Sequence, residues 1–165
     1  MTTAVKKVEP KTFQVRAPIL ANGTMRDFYV ETDHFRFGVV SVSPTYPDGR
    51  PRGEEELHYH PEEDHVFLVL QGRARFSFQD RPDVVASPWE GIFLPREFVY
   101  AFVVEGDEGL VMLRASGLNK PLPSDKLSGY GTPLERLDPE GKPLERDLFP
   151  RKDPLETVLG AFFPG

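Results

Sequence analysis

The pattern of this chain predicts an all-β sandwich or barrel, on three observations. From Phe13 to about Ser116 the apolar runs are short and divided by turn residues. No segment in that span carries a helical period of apolar residues. Arg73-Ala74-Arg75-Phe76-Ser77-Phe78 alternates with period two, the period of a half-buried strand.

Taken in order, Phe28-Tyr29-Val30 marks the first strand. Phe35 to Val42 is the second, ended by Ser43-Pro44 and then by Pro47-Asp48-Gly49, residues that favour turns. A histidine-rich segment follows, and after it Val66-Phe67-Leu68-Val69-Leu70. That run is apolar at every position, so both its faces must be covered. The barrel interior would cover one face, and a second layer or another subunit the other. Gln71-Gly72 turns the chain into the alternating run, and Asp80 to Asp83 breaks it. Gly91-Ile92-Phe93-Leu94 is closed by Pro95, Val99 to Val104 by Glu105-Gly106-Asp107, and Leu110 to Arg114 is the last strand. The expected barrel therefore spans residues 13–117. Residues 118–165 are proline-rich, balanced in charge and mostly irregular, which reads as an extension lying on the barrel or on a partner subunit. Pro133-Leu134-Glu135-Arg136 recurs as Pro143-Leu144-Glu145-Arg146, too few copies for a repeat architecture. One short helix is expected there, capped by Asp153 with Pro154 in its first turn and ending near Leu159.

Composition narrows the function. A net charge of −6 with scattered basic residues gives no nucleic-acid footprint. No apolar run approaches membrane-spanning length, and the lysines near Met1 precede no apolar segment, so a cytoplasmic protein is expected. Without cysteine there is neither a disulfide nor thiolate chemistry.

Three of the four histidines, His58, His60 and His65, lie within eight residues. Histidine is the commonest metal-binding side chain. His58 and His60 are two apart and share a face of an extended chain. Glu62, Glu63 and Asp64 read as a polar bend, and His65 opens the next strand. If the two strands lie side by side, three imidazoles converge and one side of a metal stays open, as in a catalytic site. Solvated histidines in an acidic loop are the plainer alternative, since six acids and no lysine or arginine lie between Gly53 and His65. That alternative explains the acids but not the clustering. His34 reads as a surface or packed histidine. Any of Arg36, Arg73, Arg75, Arg96 and Arg114 that points inward would pair with a carboxylate substrate. Phe67, Val69 and Phe102 share parity with His65 and Tyr100 and are candidates to line a substrate pocket.

Two stretches resemble the motifs of the cupin superfamily. Gly53, His58-Tyr59-His60, His65 and Gly72 follow the frame of the first cupin motif, with one residue fewer after the glycine and with His65 where the family has glutamate. Gly91-Ile92-Phe93-Leu94-Pro95-Arg96-Glu97-Phe98-Val99-Tyr100 is similar to the second, with Glu97 in place of its glycine and Tyr100 in place of its histidine. The resemblance, over roughly residues 35–115, implies a double-stranded β-helix, the jelly-roll barrel. It implies one divalent transition metal per chain on His58, His60 and His65: iron(II) first, or zinc, manganese, nickel or copper. The two substitutions could equally mark a member that has lost its metal, but a lost site is not expected to gain a histidine at a ligand position. Tyr100 then lies at or beside the metal, as a ligand, as a catalytic acid or substrate hydrogen-bond donor, or as a packed core tyrosine. The resemblance further implies a homodimer and a small-molecule substrate. A dioxygenase-like enzyme is the first expectation. A non-oxidative isomerase or lyase on a sugar acid, which an inward arginine would favour, and a non-catalytic binding module are the alternatives.

Overall fold

Short apolar runs become strands wherever turn residues bracket them. In the computed structural model, which describes residues 9–15, 17–119, 135–136 and 156–161, the strands are β1 (Pro18–Asn22), β2 (Thr24–Glu31), β3 (Phe35–Val42), β4 (Gly53–Tyr59), β5 (Glu63–Gln71) and β6 (Ala74–Phe78). They continue with β7 (Val84–Ala86), β8 (Gly91–Leu94), β9 (Tyr100–Val104), β10 (Leu110–Leu118), β11 (Glu135–Arg136) and β12 (Glu156–Ala161). Two five-stranded sheets, ordered β2-β3-β10-β5-β8 and β11-β4-β9-β6-β7, face each other, and β1 pairs with β12. All pairings are antiparallel.

Register sets which residues look inward, because directly paired residues share a face. Phe67 pairs with Arg114, and Arg114 with Gly38; one row along, His65 pairs with Ser116, and Ser116 with Arg36. The interior is thereby divided. Toward one end Val40, Val42, Val69, Phe76, Phe102, Val104, Leu110 and Met112 form a buried apolar core. Toward the other the same inward rows carry Arg36, Glu63, His65, Arg114 and Ser116, all buried. Outward, Val39, Leu70 and Val111 are covered by Ala17 and Val15, and Phe13 stacks on Tyr29 at 5.5 Å. The second layer that the doubly apolar β5 demands is thus built in part by the chain's own N-terminal segment.

Two glycines of the first motif have clear physical reasons. A Cβ on Gly53 would overlap the Phe102 carbonyl oxygen. Gly72 turns β5 into β6 at φ +70°, a conformation that costs other residues energy. Glu97, by contrast, occupies a left-handed position (φ +63°) without being glycine.

Two expectations need correction. The predicted helix near Leu159 is not formed: Glu156–Ala161 is extended and pairs with β1, where β-branched Thr157 and Val158 suit a strand; Asp153 to Leu155 lie outside the described residues. The strands carrying His58 and His65 are not side by side. β4 and β5 belong to opposite sheets, because the short bend at Pro61 and Glu62 carries the chain from one sheet to the other.

Candidate metal centre

The histidine segment crosses the barrel, so its donors approach from opposite walls. On β4, Glu54 pairs with Phe102 while His58 pairs with Tyr100, a bulge that puts two extra residues on the β4 side. Bulges re-aim side chains; here both Glu54 and His58 come to the lumen, with His58 Nε2 3.3 Å from Glu54 Oε2. His58 Nδ1 lies 2.9 Å from the Glu56 carbonyl oxygen, which can only accept, so that nitrogen carries a proton. His60 follows at the strand end, and the Glu97 amide donates to its carbonyl oxygen at 2.9 Å. The left-handed Glu97 turn therefore clamps the histidine backbone. On β5, strand alternation turns Glu63, His65, Phe67 and Val69 to one side.

The three imidazoles converge. The rings of His60 and His65 are 4.3 Å apart, those of His58 and His60 5.2 Å, and Tyr100 lies 4.5 Å from His58. The tightest donor set is His60, Glu63 and His65, with one ligand atom from each within 4.8 Å of the others. Glu63 Oε2 is 3.2 Å from His65 Nε2. Arg114 Nη2 is 3.4 Å from Glu63 Oε1 and 3.3 Å from His65 Nε2.

Burial governs the charges. Desolvation, reinforced by the neighbouring His65, holds His60 well below the usual imidazole range; desolvation and then Arg114 lower His65. Both rings are therefore neutral near pH 7, the form a metal ligand requires. Burial opposes ionisation of Glu63, but Arg114 and then His65 overcome it and hold the carboxyl well below its ordinary value. Burial likewise opposes ionisation of Glu54, which Arg26 and His58 hold well below; Arg26 is ion-paired to it. Desolvation raises Tyr100 well above a normal phenol, so it stays protonated.

These residues fit a divalent metal. His58 Nε2, Glu63 Oε2, His65 Nδ1 and the Tyr100 hydroxyl are buried without a hydrogen-bond partner. Buried polar atoms are normally satisfied, and orphans gathered around neutral imidazoles and an ionised carboxylate suit a cation. His60, Glu63 and His65 would hold it, with His58 beside them.

The sequence-derived residues are distributed as follows. His58, His60, His65 and Tyr100 are gathered in one cluster. Phe67 borders it, 5.7 Å from His65. Val69 and Phe102 lie in the apolar core below; Phe67, Phe76 and Phe102 rings are 5.8–5.9 Å apart, so they form a packed floor. His34 is exposed. Arg75 and Arg96 point outward to Glu105 and Asp64, whereas Arg36 and Arg114 point inward. Glu63, assigned to a polar bend from sequence, is the candidate ligand that the linear reading missed. Its two-residue spacing from His65, the same that links His58 to His60, was the available signal.

No family model matches the chain. The uncharacterised protein YdbB of Bacillus subtilis is 31% identical over 48 residues, which are 29% of this chain and 42% of that protein, so the match spans less than half of the relative. Among solved structures, a conserved protein with a double-stranded β-helix domain from Klebsiella pneumoniae superposes with a TM-score of 0.55 at 15% identity, covering 69% of this chain and 95% of that one. A cupin superfamily protein of Desulfitobacterium hafniense gives 0.48 at 17% identity, over 64% of this chain and 84% of that one. At this identity the likeness is one of fold: two facing antiparallel sheets form a barrel of the double-stranded β-helix kind.

Proposed function

We propose that the chain is a metal-dependent cupin enzyme acting on a small organic substrate, dioxygenase-like in its chemistry. The observation that carries the reading is the buried set His60, Glu63 and His65, with ligand atoms within 4.8 Å of one another in the barrel lumen. Two imidazoles and a carboxylate with open positions are the donor set of non-haem iron(II) oxygenases. Iron(II) is thus favoured over zinc, manganese, nickel or copper. The metal would supply Lewis acidity and, if iron, redox chemistry.

The chain's own residues do the rest. Neutral His60 and His65 present nitrogen lone pairs, and Arg114 holds Glu63 ionised. The protonated Tyr100 hydroxyl has no protein partner and is available to donate to bound substrate. The Phe67, Phe76 and Phe102 floor closes the lumen below the site and excludes water from that side.

A second reading has its own observation. Buried Arg36 and Arg114 share the lumen with the donors, which favours non-oxidative isomerase or lyase chemistry on a sugar acid. Elemental analysis of protein purified without a histidine tag is the first test: a stoichiometric transition metal supports both readings, and its absence, with no change in melting temperature on chelation, refutes them. Oxygen uptake with diketones and catechol-like compounds supports the first; turnover of a sugar acid under nitrogen replaces it with the second.

A further inference from the structure

The buried arginines carry more than a hint of substrate charge. Arg36 has no exposed surface and Arg114 is 4% exposed. Both guanidinium groups lie over the same ring, with Cζ 4.1 and 5.4 Å from the Phe28 centroid. Among the described residues each is ion-paired to one carboxylate, Arg36 to Glu31 at 3.3 Å and Arg114 to Glu63 at 3.4 Å. Their donors are far from satisfied: Arg36 Nε, Arg36 Nη1 and Arg114 Nε are buried without a partner. Ser116, between Arg36 and His65 in the inward row, adds an unsatisfied buried hydroxyl. Unpaired buried donors on a fixed cation are costly, so the cluster is built for an anion that supplies acceptors.

Charge accounting makes that need conditional. In the metal-free lumen Arg114 is neutralised by Glu63. A divalent cation on His60, Glu63 and His65 would draw the Glu63 charge to itself and leave Arg114 uncompensated, with Arg36 beside it. We propose that Arg36, Arg114 and Ser116 form a carboxylate-binding subsite that the metal switches on, so that metal and substrate carboxylate bind with positive coupling. This rests on the metal reading of His60, Glu63 and His65, and it selects the substrate class: a small carboxylate whose reacting end faces His65 and whose acid group faces Arg36. Adjacent strands are ~4.8 Å apart, so across β3, β10 and β5 the two ends of the molecule are separated by ~5–10 Å, the size of a short hydroxy acid or sugar acid. Planar guanidinium groups suit a carboxylate through paired N–H donors.

Linkage requires the coupling to be reciprocal: a carboxylate must raise metal affinity by the factor by which metal raises carboxylate affinity. The test is calorimetric titration of the full chain with zinc(II), at fixed ionic strength, alone and with saturating glycolate, 4-hydroxybutyrate or gluconate, each against its amide. The expected result is a gain in zinc affinity of about tenfold or more with a fitting acid, and none with the amide. Arg36→Gln should abolish the gain while zinc alone binds as in the parent, since Arg36 touches none of the proposed ligands. Arg114→Met should also abolish the gain, but it changes the affinity for zinc alone as well, because Arg114 contacts Glu63 and His65; Arg36→Gln therefore decides. An equal gain with the amide, or a gain that survives Arg36→Gln, overturns the subsite and leaves the metal reading intact. No zinc binding by the parent protein removes the metal reading and the subsite together.

Discussion

Replacing Glu63 by glutamine separates two roles that one carboxylate plays. Glu63 is 1% exposed, 3.4 Å from Arg114 and 3.2 Å from His65. Glutamine keeps the shape but removes the charge, leaving Arg114 buried without an ion-pair partner among the described residues. Removing one partner of a buried pair costs about 3–5 kcal/mol, and the long 3.4 Å contact places this pair at the lower end. About 3 kcal/mol corresponds, for a chain of this size, to a melting temperature lower by ~6–12 °C. The double variant Glu63→Gln/Arg114→Met removes both charges and should recover most of the loss, because replacing a whole buried pair is close to neutral. Metal binding must behave differently. At zinc one hundred times above its dissociation constant the parent should gain about 2.7 kcal/mol, and both variants should gain less than about 1 kcal/mol at the same concentration. Urea unfolding with and without zinc measures all of these. A single variant within 1 kcal/mol of the parent would show that Arg114 does not depend on Glu63. A double variant stabilised by zinc as fully as the parent would show that Glu63 is not a ligand, and the donor set would have to be redrawn around His58.

Four further outcomes follow from particular residues. Glu97→Gly should stabilise the chain by ~0.5–1 kcal/mol by urea unfolding, since relief of a left-handed non-glycine residue (about 1–2 kcal/mol) exceeds the entropy cost of glycine; a loss would mean the Glu97 side chain holds the turn. His60 and His65 have lowered pKa values in the folded chain, so the unfolded chain binds more protons below about pH 6.5, and stability should be full above that pH and fall below it, with a slope approaching about 2.7 kcal/mol per pH unit for two rings; a flat profile from pH 7.5 to 5.5 in chelator contradicts their buried neutrality. Tyr100→Phe removes an unsatisfied buried hydroxyl and should leave stability unchanged or raise it by about 1 kcal/mol, while lowering kcat on the true substrate; unchanged kcat would make Tyr100 a packing residue. The chain is expected to be a homodimer, with the outer faces of β5 and the edge strand β8 as the contact, where Val66 pairs with Phe93 and both are exposed; light scattering after size exclusion should show the parent as a dimer and Phe93→Lys as a monomer, and a monomeric parent ends the idea.

What the sequence by itself determined is local. Strand periodicity at Arg73–Phe78, the turn glycine Gly72, and the histidine cluster depend on near neighbours, so they are legible in a linear reading. What only the tertiary structure decided is phase and partnership. Whether Glu63 belongs to the bend or to β5 depends on where the chain crosses between sheets, and one residue of shift would turn Glu63 and His65 away from the lumen. Arg36 and Arg114 look no different in sequence from Arg75 and Arg96, which point outward. Their burial is set by pairing β10 with both β3 and β5, contacts between segments distant in the chain, and alternation alone carries no information about which of a strand's two faces the fold will enclose.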